Sequence, residues 1–232
     1  MDDAQGLRDR LEFVKGRIDR ASTRVGRAQG SVRLLAITKG FPAETVRSAM
    51  GLGLKEFGEN RIQEAEGKIL AIEPPPRWHL VGHLQSNKAK RAVRLFDVIQ
   101  SIDSMRIAEE VSRRAEEASR RIACLVEVNT SGDEAKFGAA PGETLDLLRT
   151  AGKLESIDLR GLMTMGPLEG GLEGARRSFR ELAALRDAAV RAGLLAEDAD
   201  LSMGMSNDFE IAIEEGATVI RLGTALFGAR GA

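Results

Sequence analysis

Short apolar runs alternate with longer stretches of helical spacing along this chain. Runs rich in aliphatic and β-branched residues fall at 32–38, 54–59, 78–82, 98–102, 122–129, 159–165, 201–205 and 219–223. Their length and their bounding turn residues predict strands. Between them, apolar residues recur every three or four positions over 42–51, 61–72, 88–96, 105–118, 142–152, 174–192 and 208–216, which predicts helices. A long amphipathic stretch at about 7–25 precedes the first strand and predicts an N-terminal helix.

Eight strands alternating with helices predict an α/β fold built on a parallel sheet. The runs LLAIT (34–38) and ACLVEV (123–128) are apolar on successive residues, as in strands covered on both faces. Eight such units can close into a (β/α)8 TIM barrel. An open doubly wound sheet is the alternative, and the strand count favours the barrel. Only residues 225–232 follow the last strand, too few for a full eighth helix. The extra N-terminal helix is therefore expected to pack on the barrel wall left bare. No linker interrupts residues 1–232, so a single domain is expected. The segment GPLEGGLEG (166–174) follows the sixth strand and is a candidate flexible lid.

Composition narrows the class. Hydrophobic residues make up 43% and charged residues 30%, which fits a globular protein and excludes a disordered one. The net charge of −1 gives no bulk attraction to nucleic acid or to a membrane. No run reaches transmembrane length and the charged N-terminus lacks a signal-peptide centre, so a cytoplasmic protein is expected. Cys124 is the only cysteine, which rules out an intramolecular disulfide or a cysteine metal cluster; its apolar setting predicts a small core residue.

In a barrel, chemistry sits at the C-terminal ends of the strands. Lys39 ends the first predicted strand. An apolar barrel mouth would disfavour its charged form and expose a neutral amine able to attack a carbonyl. The chain has 8 Lys against 26 Arg, so a lysine there is a sparing choice, although a lysine simply leaving a strand for solvent reads the same. Ser206 ends the seventh strand ahead of a helix, where free N–H groups suit phosphate; a plain helix cap, with Asn207 and Glu210 as a capping box, is the other reading. Arg221, Gly223 and Thr224 end the eighth strand. Glycine admits close backbone approach, threonine offers two donors, and a buried arginine needs a ligand or an acidic partner. Barrels often bind phosphate after strands seven and eight, so these two ends together carry more than either alone. Asn60 ends the second strand, where capping the next helix with Gln63 is the simpler role. His79 and His83 sit on a strand-like segment whose spacing does not suit zinc, and no metal is expected. Lys136 follows the fifth strand and reads as a solvated loop lysine that could reach the same face. Walker and Rossmann glycine motifs are absent, which argues against a nucleotide-type phosphate site.

Taken together, ITKG with Lys39, FGEN with Asn60, WHLVGHLQSNK, RGLMTM, LSMGMSND and RLGTALFG resemble the pyridoxal phosphate homeostasis protein family (YggS/PROSC), in order and spacing from about residue 34 to 230. That family is similar to the cofactor-binding barrel of alanine racemase without its second domain. The resemblance implies pyridoxal 5'-phosphate (PLP) held as an aldimine on Lys39. It implies that Ser206, Gly223 and Thr224 hold the phosphate, that Arg221 faces the pyridine nitrogen, and that Asn60 lies beside the ring. An arginine is only a donor, so it leaves that nitrogen unprotonated and the ring a poor electron sink. Two-base racemisation needs a group on each face of the substrate carbon. In alanine racemase the second is a tyrosine, and this chain contains none. The expected function is non-catalytic PLP homeostasis: buffering the aldehyde or delivering it to PLP-dependent apo-enzymes, by a monomer. The competing readings are an amino-acid enzyme using PLP, a cofactor-free lyase with a Lys39 Schiff base to a sugar phosphate, and a pure interaction scaffold.

Overall fold

The computed structural model describes residues 2–133, 136–167 and 170–229. Its elements run α1 (Asp2–Arg24), β1 (Arg33–Ile37), α2 (Ala43–Gly51), β2 (Glu56–Glu59), α3 (Ile62–Leu70), β3 (Arg77–Leu80), α4 (Ala89–Leu95), β4 (Val98–Ile102), α5 (Met105–Glu117), β5 (Ile122–Glu127), α6 (Thr144–Ala151), β6 (Ile157–Met163), α7 (Gly171–Arg191), β7 (Asp200–Ser202), α8 (Phe209–Glu214), β8 (Val219–Leu222) and α9 (Thr224–Phe227). The eight strands form a closed parallel barrel in sequence order. Closure comes from β1 and β8, paired from Arg33 opposite Val219 to Ala36 opposite Leu222. Closure leaves none of the eight described strands as a sheet edge.

Side chains alternate across each strand, which separates two kinds of interior. Ala36, Phe57, Trp78, Ile99, Cys124, Leu162 and Ile220 belong to the main core, which the strands share with the helices. Leu35, Ile37, Val81 and Val219 form a separate small cluster, and Val98, Leu125 and Met163 form another, on the alternate positions that face the barrel axis. Gly58 lies on the same side. A side chain there would meet the Ile37 Cδ1 at 2.5 Å, so its absence makes room for Ile37. Cys124 is buried, as expected, and burial pushes its thiol far above the usual range.

The N-terminal helix packs on the outside of the barrel, against α8 and α9. Leu7, Leu11, Val14, Ile18 and Ala21 form its buried stripe. Arg10 donates to the Leu226 carbonyl of α9 at 2.6 Å, and Arg17 pairs with Glu210 of α8 at 3.1 Å. The eighth barrel helix is thus the single turn α9, with α1 laid against it.

Three expectations are corrected. Asn207 and Glu210 make no capping box. Helix α8 starts at Phe209 with Asp208 as its N-cap and no side-chain cap bond; the Asp208 carboxylate turns back to accept the Met205 N–H at 2.6 Å, and Glu210 is taken by Arg17. Asn60 does not cap α3, whose N-cap is Arg61, again without a side-chain bond. The 166–174 segment is not loop throughout. Gly170 adopts a left-handed φ of 88° and α7 begins at Gly171, so its last four residues are helical. Leu168 and Glu169 of that segment lie outside the described residues. None of the described helices is long and apolar enough to cross a membrane.

Candidate functional site

A cavity of about 510 Å³ opens at the C-terminal end of the barrel. Lys39, Asn60, Ser206, Arg221, Gly223 and Thr224, the six residues singled out in the sequence, all line it. The strands end below this level, and each residue is carried on the chain leaving its strand or, for Arg221, on the strand itself. Lys39 stands two residues past β1 and is half-buried. Asn60 follows β2. Gly82 allows the backbone to crowd there, because a Cβ at that position would meet the Asn60 carbonyl oxygen at 2.2 Å.

Ser206 and the β8 turn form one unit. The Ser206 hydroxyl accepts the Ala225 N–H at 3.2 Å, which ties the loop after β7 to the first turn of α9. Gly223 lies against Ile37, whose carbonyl oxygen would be 3.3 Å from an added Cβ. The N–H groups that open a helix lack intrahelical acceptors. Ser206, Gly223 and Thr224 line the cavity together, a set of hydroxyl and backbone N–H groups suited to an anion. Ile37, Phe41, Val81, Met165 and Leu172 supply apolar walls.

Arg221 is buried and held in place by two hydrogen bonds. Its Nη1 donates to the Ser202 hydroxyl at 2.8 Å and its Nη2 to the Thr164 carbonyl at 2.7 Å. Ser202 donates onward to Gln100 Oε1 at 2.6 Å, and the Gln100 amide reaches His79 Nδ1 at 2.9 Å. This row of polar groups runs down the barrel axis from the cavity. It also fixes proton positions: with Gln100 Oε1 accepting from Ser202, its NH₂ faces His79 and the imidazole proton sits on Nε2. Burial brings the Arg221 guanidinium down to about 10, against the opposing pull of Glu127 and Asp208, so it stays charged at neutral pH. Burial also raises both carboxyls: Glu127 to about 7, with Asp103 adding to the rise, and Asp208 above its usual range.

Sequence reasoning had not picked out Thr164, Ser202, Asp208 and Glu127. A signal was present for all four. Thr164 and Ser202 are polar residues inside apolar strand ends, Glu127 interrupts the run LVEV, and Asp208 follows Ser206 in MSND. Of the remaining candidates, His79 is buried in the barrel, and His83 stands 3.2 Å from Asp103 and stacks on Phe137. Among the described residues no group of three or more metal-type ligands occurs. Lys136 is not a free solvated lysine: its Nζ donates to the Gly166 carbonyl at 2.8 Å, joining the loops after β5 and β6.

Comparison with known proteins agrees with this geometry. The profile of the alanine racemase N-terminal domain family matches residues 14–231. A pyridoxal phosphate homeostasis protein from Aquifex aeolicus is 40% identical over 223 residues, covering 96% of this chain and 97% of the relative. The PLP-bound structure of PipY from Synechococcus elongatus superposes with a TM-score of 0.81 at 36% identity, over 96% of this chain and all of PipY. Alanine racemase from Clostridium difficile shares the fold, with a TM-score of 0.75 at 15% identity, and this chain covers 56% of its length. The chain belongs to the pyridoxal phosphate homeostasis protein family, whose barrel is that of the alanine racemase N-terminal domain.

Proposed function

We propose that this protein binds PLP in the cavity at the barrel mouth, holds it covalently on Lys39, and serves its homeostasis by storing or delivering it without catalytic turnover. The observation that carries this reading is that Lys39, Arg221 and the Ser206, Gly223 and Thr224 donors line one cavity with apolar walls. PLP is a flat ring with a phosphate at one end, an aldehyde beside it and a ring nitrogen. The donor set matches the phosphate, the apolar walls match the ring, and the amine matches the aldehyde.

PLP supplies an electrophilic carbonyl when bound. The protein's residues do the rest. Ser206 and the N–H groups of Gly223 and Thr224 hold the phosphate dianion, and Asn60 orients the ring edge. With PLP bound, Lys39 would supply the amine for a C=N bond to the aldehyde carbon, one water leaving, and a second amine would replace Lys39 by transimination, which returns the free lysine. Arg221, held by Ser202 and Thr164, presents N–H and not a carboxylate to the ring nitrogen, and so gives it no proton acceptor that would keep it protonated. This favours holding PLP over stabilising a carbanion on it. The chain contains no tyrosine to act as a second base. The barrel is the whole binding unit and works as a monomer, with PLP-dependent apo-enzymes as recipients.

The test is to add PLP to the purified protein, record its visible absorbance, reduce with borohydride and map the labelled peptide. The expected adduct is on Lys39. In Lys39→Ala the covalent band is lost while weaker, phosphate-anchored binding remains; unchanged absorbance in that variant would overturn the assignment. Steady turnover of an amino acid, lost in the same variant, would make the protein an enzyme instead.

A further inference from the structure

The residues on either side of Lys39 are gripped by a network that does not line the cavity. Thr38 is fully buried and all its polar groups are engaged. Its N–H donates to the Gly58 carbonyl at 3.0 Å, its hydroxyl donates to Glu59 Oε1 at 2.6 Å, and its carbonyl accepts from the Lys68 ammonium at 2.7 Å. The Lys68 ammonium also donates to Glu59 and to Glu64, both at 2.7 Å. Its three N–H groups thus have three acceptors. Glu64 in turn accepts the Gly40 N–H. One ammonium and two carboxylates therefore tie the residue before Lys39 and the residue after it to α3 and the end of β2.

A surface ion pair of this size would carry little weight. Here the Lys68 and Glu59 side chains are 9% and 0% exposed, in a setting where ion pairing resists screening and loss of one partner strands the other. We infer that Lys68, through Glu59 and Glu64, is the positioning residue that sets the backbone carrying Lys39, and so tunes capture and release of the aldehyde on that lysine. This deepens the proposed function and rests on it. Bond formation needs the amine within about 3–3.5 Å of the carbonyl carbon and aligned with it, and a displacement of about 1 Å can cost on the order of a hundredfold in rate. The phosphate donors, by contrast, stand on the turns after β7 and β8. Loosening the network should weaken the covalent step and spare the phosphate grip.

The experiment measures two ligands on each variant: PLP, and pyridoxine 5'-phosphate, which keeps the ring and phosphate but has no aldehyde. In Lys68→Met, PLP capture is expected to slow about tenfold or more and the covalent band to weaken, with pyridoxine 5'-phosphate affinity within about twofold of the parent. Lys68→Met leaves Glu59 buried without its cation, which puts folding itself at risk. Glu64→Ala and Glu64→Gln provide the second test, since Glu64 is partly exposed. The alanine variant should lose PLP capture selectively, and the glutamine variant, which can still accept the Gly40 N–H, should recover most of it. Equal loss for both ligands would make the network merely structural and overturn the inference, as would unchanged PLP capture in folded Lys68→Met and Glu64→Ala. A parent protein that forms no adduct on Lys39 refutes the proposed function itself, before any variant is made.

Discussion

His79 is buried beside Gln100, and burial, with Arg77 and Arg33 nearby, pushes its imidazole down to about 3. Glu127, two strands along, is pushed up to about 7 by burial. The two groups act on stability in opposite directions. His79 binds its proton more readily in the unfolded chain, so its contribution is present above about 6.5 and is lost as pH falls toward 3. Glu127 binds its proton more readily in the folded chain, so its contribution is present below about 4.5 and is lost as pH rises through 7. Their slopes oppose each other between pH 4.5 and 6.5. Urea denaturation of His79→Gln across that window should show stability falling with rising pH relative to the parent, and Glu127→Gln should show it rising, each by up to about 1.4 kcal/mol per pH unit. Parallel profiles for parent and variants would mean that neither group titrates as its burial requires. At the cavity end of the same row, Arg221→Glu should raise the basicity of the bound ring nitrogen and shift the visible spectrum. An identical spectrum and affinity would place the ring nitrogen elsewhere.

At the scale of elements, the period of the apolar positions was enough to find every strand and the N-terminal helix, because buried strands and amphipathic helices leave different spacings in the sequence. The ends were harder. The run at 201–205 shortens to the three-residue β7 (Asp200–Ser202): Met203 and Gly204 still bond to β8, but Gly204 takes a left-handed φ of 90°, which bends the chain out of the strand. The caps proposed for Asn60 and Asn207 failed because the N-caps of α3 and α8 fall one residue later, at Arg61 and Asp208, and because Glu210 is drawn to Arg17, which local spacing cannot foresee. Helix α1 was read correctly as barrel cover, and its contribution can be measured. Leu11→Ala removes a fully packed side chain and should cost about 2–5 kcal/mol in urea denaturation. Phe13→Ala, on the 64% exposed side of the same helix, should stay within about 0.5 kcal/mol. Equal effects would mean that α1 does not bury that stripe.

At the scale of the whole molecule, the proposed function is that of a monomer. Sedimentation should accordingly give a single 25.1 kDa species with and without PLP. A PLP-dependent dimer would point to a site shared between copies. The sequence alone determined the number of strands, their parallel order and the six residues at their ends, because each of these rests on local spacing or on a short motif. Only the tertiary structure decided that β8 closes on β1, that Arg221 is held from β7 and from the end of β6, and that Lys68 on α3 grips Thr38 after β1. Those contacts join groups 19 to 186 residues apart, counting Arg33 opposite Val219 at closure as the longest reach and Ser202 to Arg221 as the shortest. No period in the chain encodes them: which polar side chain meets which depends on the register and curvature of the closed barrel.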